Sequence, residues 1–130
     1  MFSYFTVVAA NAALPAVIEK YKHLQKQKEE VQKLEAQLNS MPLNLTDYVT
    51  VKQQLNSAVT KFYQAVEDLE GTGVVLKSLE EGLLDFPSKR FDEEVWLCWK
   101  EGETEIKFWH EKDVGFMGRK PLSVSDESLV

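Results

Sequence analysis

The residues of this chain that are equipped for chemistry gather toward its C-terminal end. Residues 94–122 hold all three tryptophans (Trp96, Trp99 and Trp109), the single cysteine Cys98, and His110, one of two histidines. Asp85 lies just upstream between Leu84 and Phe86, and a carboxylate set among apolar neighbours needs a partner. His110 could take that role, its ring oriented and its pKa raised by such a carboxylate, with Glu111, Asp113 and Arg119 completing a polar cluster. Cys98 and His110 are also residue types that ligate zinc or act as nucleophile and base. Gly115 and Gly118, followed by Arg119, could turn backbone N–H groups and a guanidinium toward a carboxylate or phosphate. Each has a plain structural counterpart: a buried polar network that locks the last strand to a sheet, a packed thiol, and a loop tied down by an Arg119 salt bridge to Asp85 or Asp113.

The elements that position these groups decide among the readings. Segments 95–100 and 105–111 are rich in aromatic and β-branched residues, and 101–104 offers a two-residue turn with Gly102 at its first central position, so a β-hairpin is expected. That turn places Lys100 opposite Glu105, Trp99 opposite Ile106, Leu97 opposite Phe108 and Val95 opposite His110. Val95, Leu97, Trp99, Ile106, Phe108 and His110 then share an apolar face. The other face pairs Trp96 with Trp109, either as a cross-strand lock or as an aromatic surface for a ligand or partner. On this register Cys98 and His110 lie on opposite faces, which argues against a metal site and against a Cys-His nucleophile. No metal ligand set and no cofactor is therefore expected, and the candidate site is the polar cluster of Asp85, His110, Glu111, Asp113 and Arg119.

Upstream, Thr6 is a suitable N-cap for a helix, and Pro15 should kink that helix near Asn11 or restart it at Leu14. Val17, Leu24, Val31 and Leu38 recur every seventh residue. After a break at 40–44, Tyr48, Leu55, Phe62 and Leu69 do the same. Folding the two segments back on each other brings Val17 to Leu69, Leu24 to Phe62, Val31 to Leu55 and Leu38 to Tyr48, with Tyr21 against Ala65 between them. Leu34, Leu38, Met41, Leu43, Leu45 and Val51 gather at the far end of this hairpin, a surplus that points to self-association as a homodimer. His23 sits on a solvated stretch with no metal role. Gly71 and Gly73 end the second helix. Short strands follow at 74–77 and 83–86, with Pro87 marking an edge or a bend and 89–93 a charged loop.

The expected fold class is therefore α+β: a long antiparallel, coiled-coil-like helical hairpin packed at its base on a small, mostly antiparallel sheet of three to four strands. Residues 1–122 form one domain, with the hairpin over about 6–70, a β-meander over about 74–111 and an ordered loop over 112–122; 123–130 read as a disordered tail. The net charge is −6, and residues 71–130 carry 13 acidic against 8 basic side chains, which disfavours a nucleic-acid partner. No apolar run approaches the ~20 residues of a membrane span. One cysteine and no recognisable leader segment give the expectation of a cytoplasmic protein.

Read together, Gly82, Leu83, Leu84, Asp85, Phe86 and Pro87, then Leu97, Cys98, Trp99 and Lys100, then Gly102, Glu103 and Ile106, and finally Trp109, His110, Glu111, Gly115, Phe116, Gly118, Arg119 and Pro121, closely resemble the prokaryotic family called domain of unknown function 2203. Phe5, Thr6, Ala10, Asn11, Leu14 and Pro15 fit it as well. The chain departs from that pattern at Val7, Val8 and Ala9, where acidic residues are usual, and at Asp92 and Glu93, where a turn glycine is common. The resemblance implies a small cytoplasmic protein of archaea or bacteria without an established activity. Two functions fit the residues: a non-enzymatic interaction or scaffold module that self-associates through its hairpin, or a small-ligand-binding or catalytic domain, with a small anion as ligand, centred on Asp85, His110 and Arg119.

Overall fold

The computed structural model describes residues 4–40 and 44–122. Two helices, α1 (Val7–Ser40) and α2 (Leu45–Glu70), precede five strands: β1 (Val75–Ser78), β2 (Leu83–Arg90), β3 (Glu93–Lys100), β4 (Phe108–Glu111) and β5 (Lys120–Pro121). The strands form one antiparallel sheet in sequence order, so the fold is α+β and the sheet has five strands rather than three to four. One compact unit joins the start of the chain through Ile18 to the segment from Glu70 onward; the other is Glu19–Leu69.

The helices follow from capping and periodicity. Thr6 Oγ1 accepts the Ala9 N–H at 2.8 Å, and Asn44 Oδ1 accepts that of Asp47 at 2.8 Å, so each helix begins on a side-chain cap. In the Glu19–Leu69 unit, Tyr21, Leu24, Leu34, Val51, Ala58, Ala65 and Leu69 are buried. Leu34, Val51 and Ala58 form a cluster with Val31, Leu38 and Leu55 packed against it, which matches the antiparallel pairing read from the heptads. Tyr48 is the exception, exposed rather than set against Leu38. Pro15 does not restart the helix at Leu14, since α1 is continuous through it. The Asn11 side chain one turn earlier is engaged outside the helix, its Oδ1 accepting the Ile106 N–H at 2.7 Å.

In the sheet unit, β2 is buried along most of its length because it has a strand on either side and is packed on both faces. Pro87 lies inside this strand instead of bending it away. Its carbonyl accepts the Phe5 N–H at 2.7 Å, and since N and C=O of one strand residue point the same way, the missing N–H faces Phe5 and not β3. Leu84, Phe86, Ser88, Val95, Leu97, Trp99 and Trp109 share the inner face. Phe5 meets Phe86 edge-on at 5.1 Å, the Ser88 hydroxyl donates to the Phe5 carbonyl at 2.6 Å, and Val7, Ala10, Leu14 and Val17 bury the facing side of α1.

Two turns differ from the sequence reading. Residues 89–93 are a tight hairpin in place of a charged loop: Arg90 pairs with Glu93, and Phe91 (φ 51°) and Asp92 (φ 66°) both adopt positive φ, as a type I′ turn demands. The β3–β4 connection is longer than two residues. Glu103 N–H closes on the Lys100 carbonyl at 3.0 Å with Gly102 at φ 101°, a type II turn that starts one residue early. Trp99 Nε1 donates to the Glu103 carbonyl at 2.8 Å, and the Glu103 carboxylate accepts the Lys100 N–H at 2.7 Å. Held this way, the chain enters β4 at Phe108, five residues after Glu103.

The register is therefore Val95 with Glu111, Trp96 with His110, Leu97 with Trp109 and Cys98 with Phe108. It is one residue from the expected pairing, and a one-residue slip moves every β4 side chain to the other face. Trp96 and Trp109 do not oppose each other. They lie on opposite faces of the sheet. Cys98 and His110, expected apart, share the outer face.

Candidate functional site

The outer face carries the chemistry. The type I′ turn sets Asp85 opposite Cys98 and Pro87 opposite Trp96; the β3–β4 pairing sets Trp96 opposite His110. Asp85, Cys98 and His110 thus converge from three adjacent strands, all buried, and one potential ligand atom of each lies within 4.8 Å of the others. His110 Nε2 is 3.1 and 3.2 Å from the two Asp85 oxygens, and its Nδ1–H donates to the Glu111 carbonyl at 2.9 Å. Both nitrogens therefore face acceptors, so one proton must be held between Nε2 and the carboxylate. Burial pushes the Asp85 carboxyl upward, opposed by His110 and then by Lys77, whose Nζ is 4.0 Å away. Burial and the Asp85 charge push the Cys98 thiol up to about 12, although Arg119 beside it acts in the opposite direction.

This trio lines a cleft of about 270 Å³, bounded also by Lys77, Leu83, Trp96, Lys112 and the 113–116 loop. Trp96 is buried, and among the described residues its Nε1–H has no acceptor. Lys77 lies over the Trp96 ring at 4.2 Å. Lys112 is held by Glu94 at 2.6 Å, and Glu94 also accepts from the Tyr4 hydroxyl. A larger groove of about 730 Å³ runs along the hairpin, but its walls are mainly exposed lysine and glutamine side chains with no convergent set of reactive groups.

Of the expected cluster, Asp85 and His110 meet and Asp113 reaches the rim of the cleft. Glu111 does not join them: its side chain is on the inner face, where its carboxylate accepts from Lys120 at 2.5 Å. Arg119 pairs in bidentate fashion with Glu103, at 3.2 and 2.9 Å, instead of with Asp85 or Asp113. It is stacked between Phe108, 3.9 Å away, and Phe116, 4.4 Å away, and reaches the trio only through Cys98. Trp109, half-buried, lies between Arg90 at 4.7 Å and Lys120 at 5.0 Å and offers no open aromatic platform. Sequence reasoning set Cys98 aside on the wrong register and missed Lys77 and Glu103. Cys98 was recoverable from a two-residue turn at Phe91 and Asp92, which sets it opposite Asp85, but neither residue is a glycine or asparagine that would have flagged the turn.

A five-stranded meander following a helical hairpin, with an Asp-Cys-His trio buried under an open cleft, defines the class. The chain belongs to the family of uncharacterized conserved proteins designated domain of unknown function 2203, whose sequence profile matches residues 3–122. No curated protein and no solved structure matches it. No helix of the described residues is long and apolar enough to cross a membrane.

Proposed function

We propose that the protein is a small-ligand-binding domain and that the outer-face cleft is its site, taking a compact ligand with an anionic oxygen. The observation that carries this reading is the buried indole N–H of Trp96, without an acceptor among the described residues, on a tryptophan that lines the cleft together with Lys77 and a proton-sharing Asp85–His110 pair. A buried donor left unpaired costs ~1–3 kcal/mol, which a ligand oxygen would recover on binding. The test is a titration of the metal-free protein with small carboxylates and inorganic phosphate, followed through the three indole N–H resonances. Trp96 should move, while Trp99, whose indole is held by the Glu103 carbonyl, should not. Saturation of the solution with these anions and no selective Trp96 shift would defeat the reading.

A second reading, self-association, is supported by a separate feature. Most of the expected surface is used internally: Leu34 and Val51 are buried in the hairpin's own core and Leu38 packs on them, while Met41 and Leu43 lie outside the described residues. Leu45 remains 79% exposed, and Tyr48 and Val49 follow it at the i+3 and i+4 spacing of one helical face, 46% and 44% exposed. A homodimer joined through this face is the corresponding proposal.

A further inference from the structure

We propose that Asp85, Cys98 and His110 bind a divalent late transition metal, with zinc as the reference ion, leaving one coordination position open to the cleft; this names a cofactor for the ligand site inferred above and rests on that reading of the cleft. The argument begins with donor geometry. Two ligand atoms each ~2.0–2.1 Å from a tetrahedral zinc are ~3.3 Å apart. His110 Nε2 and the Asp85 oxygens are already 3.1 and 3.2 Å apart, and the Cys98 sulfur lies within the same 4.8 Å group.

The second, independent observation is the orientation of His110. Its Nδ1–H is committed to the Glu111 carbonyl, which fixes the lone pair of Nε2 toward Asp85, the outer-shell arrangement that metal-bound imidazoles use. Without a cation, two electron-pair donors confront each other there and require a proton between them; a metal ion would take that proton's place. The donor set also selects the ion. Thiolate, imidazole and carboxylate together suit zinc and its late first-row neighbours, whereas magnesium and calcium prefer all-oxygen shells. Three protein ligands beside an open cleft correspond to a site that retains a position for water or ligand, unlike a closed structural site.

The surrounding charges divide. Arg119 beside Cys98 favours the thiolate, and Lys77 opposes an added cation but has a side chain 40% exposed that can withdraw into solvent. Lys112 is held by Glu94, and Asp113 at the rim favours a cation. Binding at neutral pH balances as loss of the Cys98 thiol proton and of the proton shared by Asp85 and His110, so approximately two protons leave per zinc ion.

The experiment uses the full chain after chelator treatment, titrated with zinc and with cobalt(II). Expected are one ion per chain, release of approximately two protons by calorimetry in buffers of different ionisation enthalpy, and a thiolate-to-cobalt charge-transfer band. Cys98→Ser, close to isosteric and checked for folding by circular dichroism, should remove the band and weaken zinc binding by at least about 100-fold, the upper end of what losing an outer-shell partner does. His23→Ala should change nothing. Absence of saturable binding at one ion per chain, or binding that survives unchanged in both Cys98→Ser and Asp85→Asn, would overturn the proposal. Zinc binding with no anion effect on Trp96 would leave the metal site standing and remove anion recognition alone. The reverse result would remove only the metal.

Discussion

Asp85, Cys98 and His110 show how position outweighs residue type in setting reactivity. Cys98 is buried, and its thiol is pushed up to about 12, first by burial and then by the neighbouring Asp85 charge. In metal-free native protein at neutral pH it should therefore resist iodoacetamide, and it should react once denaturant is added; mass spectrometry of both samples checks this. Glu94, which holds the cleft residue Lys112, is the opposite case. Hydrogen bonds from Lys112 and then Tyr4 hold its carboxyl below the ordinary value of 4.5. The folded state thus binds this proton less readily than the unfolded chain, so its contribution is present above 4.5 and is lost as pH falls through the depressed folded value. Wild type should lose stability relative to Glu94→Gln over that acid range, and Lys112→Met should raise the Glu94 midpoint in an NMR titration.

At the scale of elements, the helices were legible and the sheet register was not, for a physical reason. A heptad pattern along two segments over-determines a hairpin: Val31 with Leu55 and Leu34 with Val51 and Ala58 are all packed together as the spacing requires. A strand register has period two and rests on one turn. Moving the turn from 101–104 to 100–103 and lengthening the connection reversed the face of every β4 side chain, which hid the Cys98–His110 proximity and invented a Trp96–Trp109 pair. What held the turn in its actual place was Glu103, whose carbonyl accepts from the Trp99 indole four residues back and whose carboxylate pairs with Arg119, a partner sixteen residues on that no local pattern displays. The β2–β3 turn was hidden for the complementary reason: Phe91 and Asp92 accept positive φ without the usual glycine or asparagine, a conformation that costs L-residues ~1–2 kcal/mol each. Phe91→Asn with Asp92→Gly should therefore raise stability to urea by about 1 kcal/mol or more. A loss of stability would show that the exposed Phe91 ring, with Arg90 over it at 5.2 Å, contributes more than the strain removes.

At the scale of the whole molecule, polar chemistry and exposed apolar surface occupy different parts of the chain. The cleft residues belong to the unit that joins the start of the chain to the segment from Glu70 onward, whereas Leu45, Tyr48 and Val49 belong to the unit Glu19–Leu69. Single exposed apolar residues such as Phe91 or Met117 are ordinary on a protein surface, but three on one helical face form a patch that association would remove from water. Each Å² of apolar surface so buried contributes ~25 cal/mol, offset by the entropy of association, so a patch of this size supports a weak dimer and not an obligate one. Sedimentation equilibrium should show a reversible monomer–dimer distribution in the high micromolar range, and Leu45→Lys combined with Val49→Lys should give monomer throughout. Because these positions are exposed, the double variant should keep its unfolding midpoint, and it should keep the cleft's response to anions and zinc. A double variant that still dimerises would place any self-association elsewhere on the chain, and a wild type that remains monomeric at those concentrations would end the dimer reading.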